Sequence, residues 1–179
     1  KLEKNKKYTV DEAIEFIKKS KEKNQPFFIV VWFGSPHEPY SGLPKDLALY
    51  ENLPDSLAKR KVRLTSNETG KRVERPLREV LMERYAEITA MDRSIGTLRN
   101  YLIDNNLRDN TVLWYCGDNG TPPSAARTGM TIRSQKGALY EGGVLVPGVM
   151  EWPQRMKEPS TVRANAVTSD FLPTFAELV

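Results

Sequence analysis

Two unbroken apolar runs constrain this chain most: Phe27-Phe28-Ile29-Val30-Val31-Trp32-Phe33 and Val112-Leu113-Trp114-Tyr115-Cys116. Each is followed by a glycine and a short polar loop. Continuous rather than alternating apolarity predicts strands covered on both faces, and neither run is long enough to span a membrane. Between them Leu81, Tyr85, Ile88, Ile95, Leu98 and Leu102 recur at helical spacing and predict a long helix from about Leu77 to Asn105. Upstream, Thr9 and Glu12 read as a capping box opening a helix that carries Val10, Ala13, Ile14 and Ile17 on one face. Asn24-Gln25-Pro26 stops that helix. Val144 to Met150 predicts a third strand bent at Pro147-Gly148, and Asp170 to Val179 a closing helix with Asp170 near its start. Helices and buried strands in this order are the pattern of an α/β sheet with parallel strands flanked by helices. Ligands of such sheets sit beyond the carboxyl ends of strands, where His37 and Asp118-Asn119 both fall.

The chain of 179 residues is long enough for one domain of ordinary size, and 39% apolar with 28% charged residues reads as globular rather than disordered. The net charge of +4 is spread over the chain, with local density in Lys18–Lys23 and Lys59–Arg63. Both runs read as solvated faces, although an anionic substrate would suit them. No helix-turn-helix, finger or aromatic RNA-binding motif accompanies them, so nucleic acid is not an expected partner. A single cysteine, Cys116, rules out an intrachain disulfide and a cysteine-rich zinc site. No signal peptide is visible. Residues 41–76 are polar, basic and broken by prolines and glycines. They are expected to form an irregular surface excursion over the carboxyl edge of the sheet, with Lys59, Arg60, Lys61 and Arg63 open to an anionic substrate.

Four residues carry candidate chemistry. Asp118 and Asn119, between Gly117 and Gly120, offer the carboxylate and amide oxygens that calcium or magnesium prefers, although Asp-Asn-Gly is also ordinary turn chemistry. Lys136, beside Gly137, is placed to set a point charge against a bound oxyanion, or is a surface lysine. His37, the only histidine, sits in Pro36-His37-Glu38-Pro39 and is able to donate a hydrogen bond or a proton, or is structural. Asp92 reads as a structural hydrogen-bonding group beside the apolar face of the long helix. Cys116 reads as a packed strand thiol.

Taken together, these pieces resemble the sulfatase family. Phe27-Phe28-Ile29-Val30 through Pro36-His37-Glu38-Pro39 resembles its segment in which a strand delivers a substrate-binding histidine. Tyr85 through Met91-Asp92-Arg93-Ser94-Ile95-Gly96 resembles its central helix. Asn110-Thr111-Val112 through Gly117-Asp118-Asn119-Gly120 is similar to its metal-binding strand and loop. Arg133-Ser134-Gln135-Lys136-Gly137 with Tyr140-Glu141-Gly142-Gly143, Val146-Pro147-Gly148 and Trp152-Pro153 resembles its lysine segment. Ser169-Asp170-Phe171-Leu172-Pro173-Thr174 is similar to its closing helix. Order and spacing agree over about residues 10–179, apart from 41–76.

The resemblance implies an alkaline-phosphatase-like α/β sandwich with a mostly parallel sheet. It implies cleavage of sulfate esters of a small molecule or glycan by a formylglycine hydrate, with calcium (or magnesium) as Lewis acid and template. It makes Asp118 and Asn119 two metal ligands, and His37 and Lys136 the groups that bind sulfate and stabilise transition-state charge. It implies a periplasmic, secreted or lysosomal setting. The sequence also departs from the family. No Cys-x-Pro-x-Arg or Ser-x-Pro-x-Arg motif is present, nor the Asp-Asp metal pair and Gly-Lys-Trp-His segment of the family. Residues 1–179 are therefore expected to be the later part of the large catalytic domain. The nucleophile-bearing part and the small C-terminal subdomain would be absent, and the chain alone inactive without the remainder of the same protein. Two rival readings stand: a phosphate monoester or diester hydrolase of the same superfamily, with a serine or threonine nucleophile, and a non-catalytic sulfate-binding or scaffold protein. Sequence upstream of Lys1 discriminates among them.

Overall fold

The computed structural model describes residues 2–122 and 132–178. Helix α1 runs from Leu2 to Glu22. Thr9 therefore lies inside it rather than at its N-cap, because the Leu, Glu and Lys residues upstream are good helix formers and extend the helix past the capping signal. Its apolar face is as expected: Val10, Ala13 and Ile17 are buried, against helix α3 (Leu77–Asp104). The two helices end alike. Asn24 takes φ 51° and Asn106 φ 57°. The next amide reaches back across each, Gln25 N–H to Ser20 O at 2.9 Å and Leu107 N–H to Leu102 O at 2.8 Å. These are Schellman caps with asparagine in the left-handed position usually given to glycine. Lys21 Nζ donates to Asn105 O at 3.1 Å, setting a cation at the negative end of α3.

The helix α3 agrees with the sequence reading in length and in burying Leu81 and Leu102, but not at Ile88. Leu77, Val80, Leu81, Ala86, Met91 and Leu102 are buried, whereas Ile88 is 36% exposed. Burial follows the elements that cover α3, which period alone does not reveal. Asp92 is exposed, so it does not hold the structural position expected for it. That position belongs to Asp46 of the short helix α2 (Pro44–Leu47), which is 2% exposed and bonded by Arg93.

Residues 41–76 are not an irregular excursion. After α2 come 3-10 turns at Ala48–Tyr50 and Asp55–Lys59, then the antiparallel strands β1 (Lys61–Thr65) and β2 (Arg72–Pro76). The inward residues of β1 are Val62 and Leu64, and Leu64 joins Tyr40 and Val80 in the most buried cluster. Lys61 and Arg63 take the alternate, outward positions and are exposed. Arg75 of β2 grips Glu83 of α3 with two bonds of 2.8 Å. That bond is the main cause that raises the Arg75 pKa, against desolvation. The hairpin is thus folded onto α3, not draped over it.

The expected parallel sheet is not formed among the described residues. Residues 27–33 join no ladder, and Phe28, Val30 and Trp32 are exposed, Trp32 by 85%. An all-apolar run needs neighbours on both faces, and this chain supplies cover to alternate residues only. The second run does form a strand, β3 (Leu113–Cys116), half-buried and antiparallel to β4 (Gly148–Glu151), with Trp114 opposite Met150 and Cys116 opposite Gly148. Cys116 is correspondingly half-buried rather than packed away. Val144, expected to begin this strand, instead ends the one-turn helix α4 (Glu141–Val144), and the strand starts only at Gly148. Helix α5 (Phe171–Leu178) closes the chain, and the Asp170 carboxylate accepts from Val167 N–H at 2.8 Å just before it. Phe175 of α5 lies 5.4 Å from the ring of Phe28 and 6.0 Å from that of Trp114, so the apolar segment 27–33 and β3 approach the same helix.

Glu151 ties β4 to the helical side of the molecule. It accepts from Arg99 Nε at 2.7 Å and from Arg108 Nε. The Arg99 bond, opposed by desolvation and aided by the Arg108 bond, holds the Glu151 carboxyl below its ordinary range. A depressed carboxyl stabilises the fold fully above its unfolded value, and that contribution is lost as the pH falls through the folded value. Both arginines are more than a third exposed, so solvent limits the effect to about 1 kcal/mol. Glu151→Gln is expected to cost about that much at neutral pH and to flatten the fall of melting temperature below about pH 4.5, the ordinary glutamate range. Thermal melts across pH check this. A slope as steep as wild type would remove Glu151 as the cause.

Candidate functional site

The chemistry-bearing loops are built around glycines that allow backbones to touch. The ladder of β3 continues one bond further, from Gly117 N–H to Pro147 O at 3.1 Å, and the chain then turns. Asp118 is exposed and its Oδ1 accepts the Asn119 N–H at 2.9 Å. Asn119 Nδ2 donates to Gly120 O at 3.0 Å, which commits the amide nitrogen. The Asn119 amide oxygen takes no hydrogen bond among the described residues.

Gly120 N–H donates to Gly143 O at 2.9 Å, Lys136 N–H to Thr121 O at 3.0 Å, and Gly142 N–H to Arg133 O at 2.8 Å. Three segments distant in sequence are therefore laced together by main-chain bonds alone. The approach is too close for side chains. A Cβ on Gly120 would stand 2.0 Å from Gly142 O, and one on Gly142 would stand 2.1 Å from Ser134 O. Glycine is required at both positions, which explains the Gly142-Gly143 pair. Ser134 itself takes φ 73°, an unfavourable left-handed conformation for a side-chain-bearing residue. A small pocket between the segments is lined by Thr121, Ile132, Ser134, Gln135, Gly142 and Leu145.

Of the four residues singled out from the sequence, the structure joins three. Asp118 and Asn119 share a loop, and the main-chain bond from Lys136 to Thr121 fastens the lysine turn beside it. The Lys136 side chain is half-buried, and no carboxylate among the described residues pairs with its ammonium. His37 stands in a different network. It is exposed, and its Nδ1–H donates to Glu38 O at 2.6 Å. No hydrogen bond or ion pair among the described residues links it to the 117–121 loop. Residues 123–131, between Gly120 and Arg133, lie outside the described residues.

Among the described residues no group of three or more His, Cys, Asp or Glu side chains comes together. Two residues escaped the sequence reading. Arg133 stacks its guanidinium 3.6 Å over the Tyr140 ring, a cation–π contact that fixes a second cation on the lysine segment. Arg72 bonds Glu38 beside His37 at 2.5 Å. A contact across that sequence distance follows from strand register and leaves no local signal.

A family model described as Sulfatase matches residues 3–179. Arylsulfatase G of Mus musculus is 27% identical over 185 residues, which cover 94% of this chain and 29% of that protein. The Endo-4-O-sulfatase of Bacteroides thetaiotaomicron is 27% identical over 159 residues, covering 86% of this chain and 29% of that protein. Among solved structures, Ps i-CgsB in complex with k-i-k-neocarrahexaose superposes with a TM-score of 0.64 at 25% identity, over 83% of this chain and 28% of that one. The chain thus spans less than a third of the length of each of these proteins. With the family pattern matched from residue 3 to the last residue, the chain belongs to the sulfatase family.

Proposed function

We propose that the intact protein hydrolyses sulfate esters with the help of a hard divalent cation, and that residues 1–179 supply the later part of its large catalytic domain. The observation that carries this reading is the glycine-laced junction, which brings an oxygen-donor loop and a lysine together within a chain of the sulfatase family. Asp118 and Asn119 would give oxygen ligands to calcium, with magnesium as the alternative ion. The donor set suits such an ion in kind: an exposed carboxylate, and an amide whose nitrogen is tied down while its oxygen is left available. When bound, the cation supplies Lewis-acid polarisation and a template for the ester oxygens.

Lys136 then offers its ammonium to the sulfate oxygens, where negative charge grows in the transition state. His37, with Nδ1 committed to Glu38, has Nε2 as its working nitrogen. In the imidazolium a second proton on Nε2 makes it a donor to the sulfate group or to the leaving oxygen, whereas in the neutral ring Nε2 carries the lone pair. Formylglycine belongs to the rest of the protein, since no residue of this sequence sits in the motif that yields it. In the same reading, residues 27–33 and β3 take their places in a mostly parallel, alkaline-phosphatase-like sheet completed by that remainder. The substrate is a sulfated small molecule or glycan. A periplasmic, secreted or lysosomal location fits the family, and no helix among the described residues is long and apolar enough to cross a membrane.

Calcium titration of this chain tests the split site. Two side-chain donors fall far short of the six to eight oxygens calcium takes, so binding is expected to be weak, about millimolar at best, and further weakened by Asp118→Asn. Submicromolar binding in calorimetry would contradict a site shared with the rest of the protein.

A further inference from the structure

The hairpin of β1 and β2 holds the His37 loop at three places. Glu38 Oε1 accepts from Arg72 Nη1 at 2.5 Å. Asn67, in the hairpin turn, donates from Nδ2 to the carbonyl of Tyr40. The Tyr40 ring packs with Leu64 of β1 and Val80 of α3. Arg72 is itself fixed from the opposite strand, with Nη2 donating to Arg63 O at 2.9 Å and Nη1 lying 3.4 Å from Thr65 Oγ1. The Glu38 side chain is 21% exposed and its Oε2 is buried without a hydrogen-bond partner among the described residues. Arg72 is therefore the counter-ion that keeps this carboxylate in place.

The main chain of the same residue carries the acceptor for His37, since Glu38 O takes the Nδ1–H. We propose that Arg72 is a positioning residue for His37. By holding the Glu38 side chain it holds the Glu38 carbonyl, which keeps the proton of the neutral imidazole on Nδ1 and leaves Nε2 as the nitrogen open to a ligand. Without Arg72 the carboxylate has no partner in its half-buried position and swings toward water. The Glu38 backbone moves with it, and the acceptor at Nδ1 is lost. Residues 61–76 are then a brace for the histidine loop rather than a separate surface feature. The consequence for turnover rests on the reading of His37 as a substrate-binding group; the tautomer itself does not.

His37 is the only histidine of the chain, so its imidazole nitrogens are read without ambiguity in a long-range nitrogen–proton correlation spectrum of the chain. At a pH that keeps the ring neutral, Nδ1 is expected at the protonated shift and Nε2 at the lone-pair shift. In Arg72→Gln and in Glu38→Gln the two signals should move toward each other as the tautomers mix, and Arg72→Lys should restore much of the separation. The backbone amide spectrum identifies variants that keep the fold, and Glu38→Gln serves if Arg72→Gln does not. Unmoved nitrogen shifts in a folded variant overturn the proposal. In the intact enzyme, Arg72→Gln should lower kcat about tenfold with little change in KM. A moved tautomer with unchanged turnover would leave the brace standing and sink the role given to His37.

Discussion

Lys136→Ala is expected to lower kcat of the intact enzyme by about 10²–10³, the scale of one lost oxyanion-stabilising donor, while barely changing stability. Both halves follow from how the residue is held. The position of Lys136 is set by its main chain, through the bond to Thr121 O and the Gly142–Arg133 bond behind it, and those bonds survive truncation of the side chain. The ammonium makes no ion pair among the described residues, so its removal leaves no buried partner behind, and the cost in stability should stay within about 0.5 kcal/mol. Half-burial strengthens its pull on a developing charge relative to a solvated lysine. Arginine should rescue poorly, because a wide planar fork does not replace a compact point charge in a tight glycine-lined turn. Steady-state kinetics on a sulfate ester, with melting temperatures alongside, check this. A kcat within threefold of wild type would show that Lys136 is a surface lysine after all. A large loss of stability would show that its side chain holds the junction together.

The local parts of this architecture were legible in the sequence, and the non-local parts were not. Helix α3 was readable because apolar residues at helical spacing and a terminating asparagine lie within one segment. The Asp118-Asn119 turn was readable for the same reason: its two bonds, Asp118 to Asn119 and Asn119 to Gly120, join neighbours. The hairpin reads as irregular in the sequence because Lys61, Arg63, Arg72 and Glu74 on its outer face mask the alternation of Val62, Leu64 and Val73 beneath. The brace from Arg72 to Glu38 depends on a register that no short window contains. The run 27–33 reads as a strand covered on both faces, yet it joins no ladder among the described residues and leaves Phe28, Val30 and Trp32 exposed, because the pattern does not say which residues supply the cover. The glycines sit between these cases. Gly142 and Gly143 were visible as a pair, yet only the three-way backbone contact explains why neither position admits a Cβ.

The chain as given is expected not to turn over sulfate esters, and to do so when the rest of the catalytic domain is supplied. Hydrolysis at useful rates needs a nucleophile. The only thiol, Cys116, is pinned opposite Gly148 in the β3–β4 ladder and is followed by Gly117-Asp118, not by the proline and arginine context that yields formylglycine in this family. No serine of the sequence lies in that context either. His37 is available as an acid, yet proton transfer typically contributes only about 10²–10⁴-fold. Enzymes reach at least about 10⁶, so under the proposed reading the remainder comes from groups outside this chain. The apolar segment 27–33 gives a physical route for their return. Phe28, Val30 and Trp32 are exposed on a segment that pairs with no strand among the described residues, so added strands gain both apolar burial and ladder hydrogen bonds there. The assay is hydrolysis of a chromogenic aryl sulfate with calcium present, by the chain alone and then mixed with a polypeptide carrying the proposed nucleophile-bearing part of the domain with its formylglycine. Silence followed by activity on mixing is the expected result, and Lys136→Ala in the mixture should reduce it as in the intact enzyme. Activity of the chain alone that survives Cys116→Ala would mean that an unrecognised nucleophile lies within these residues, and the shared site would have to be abandoned.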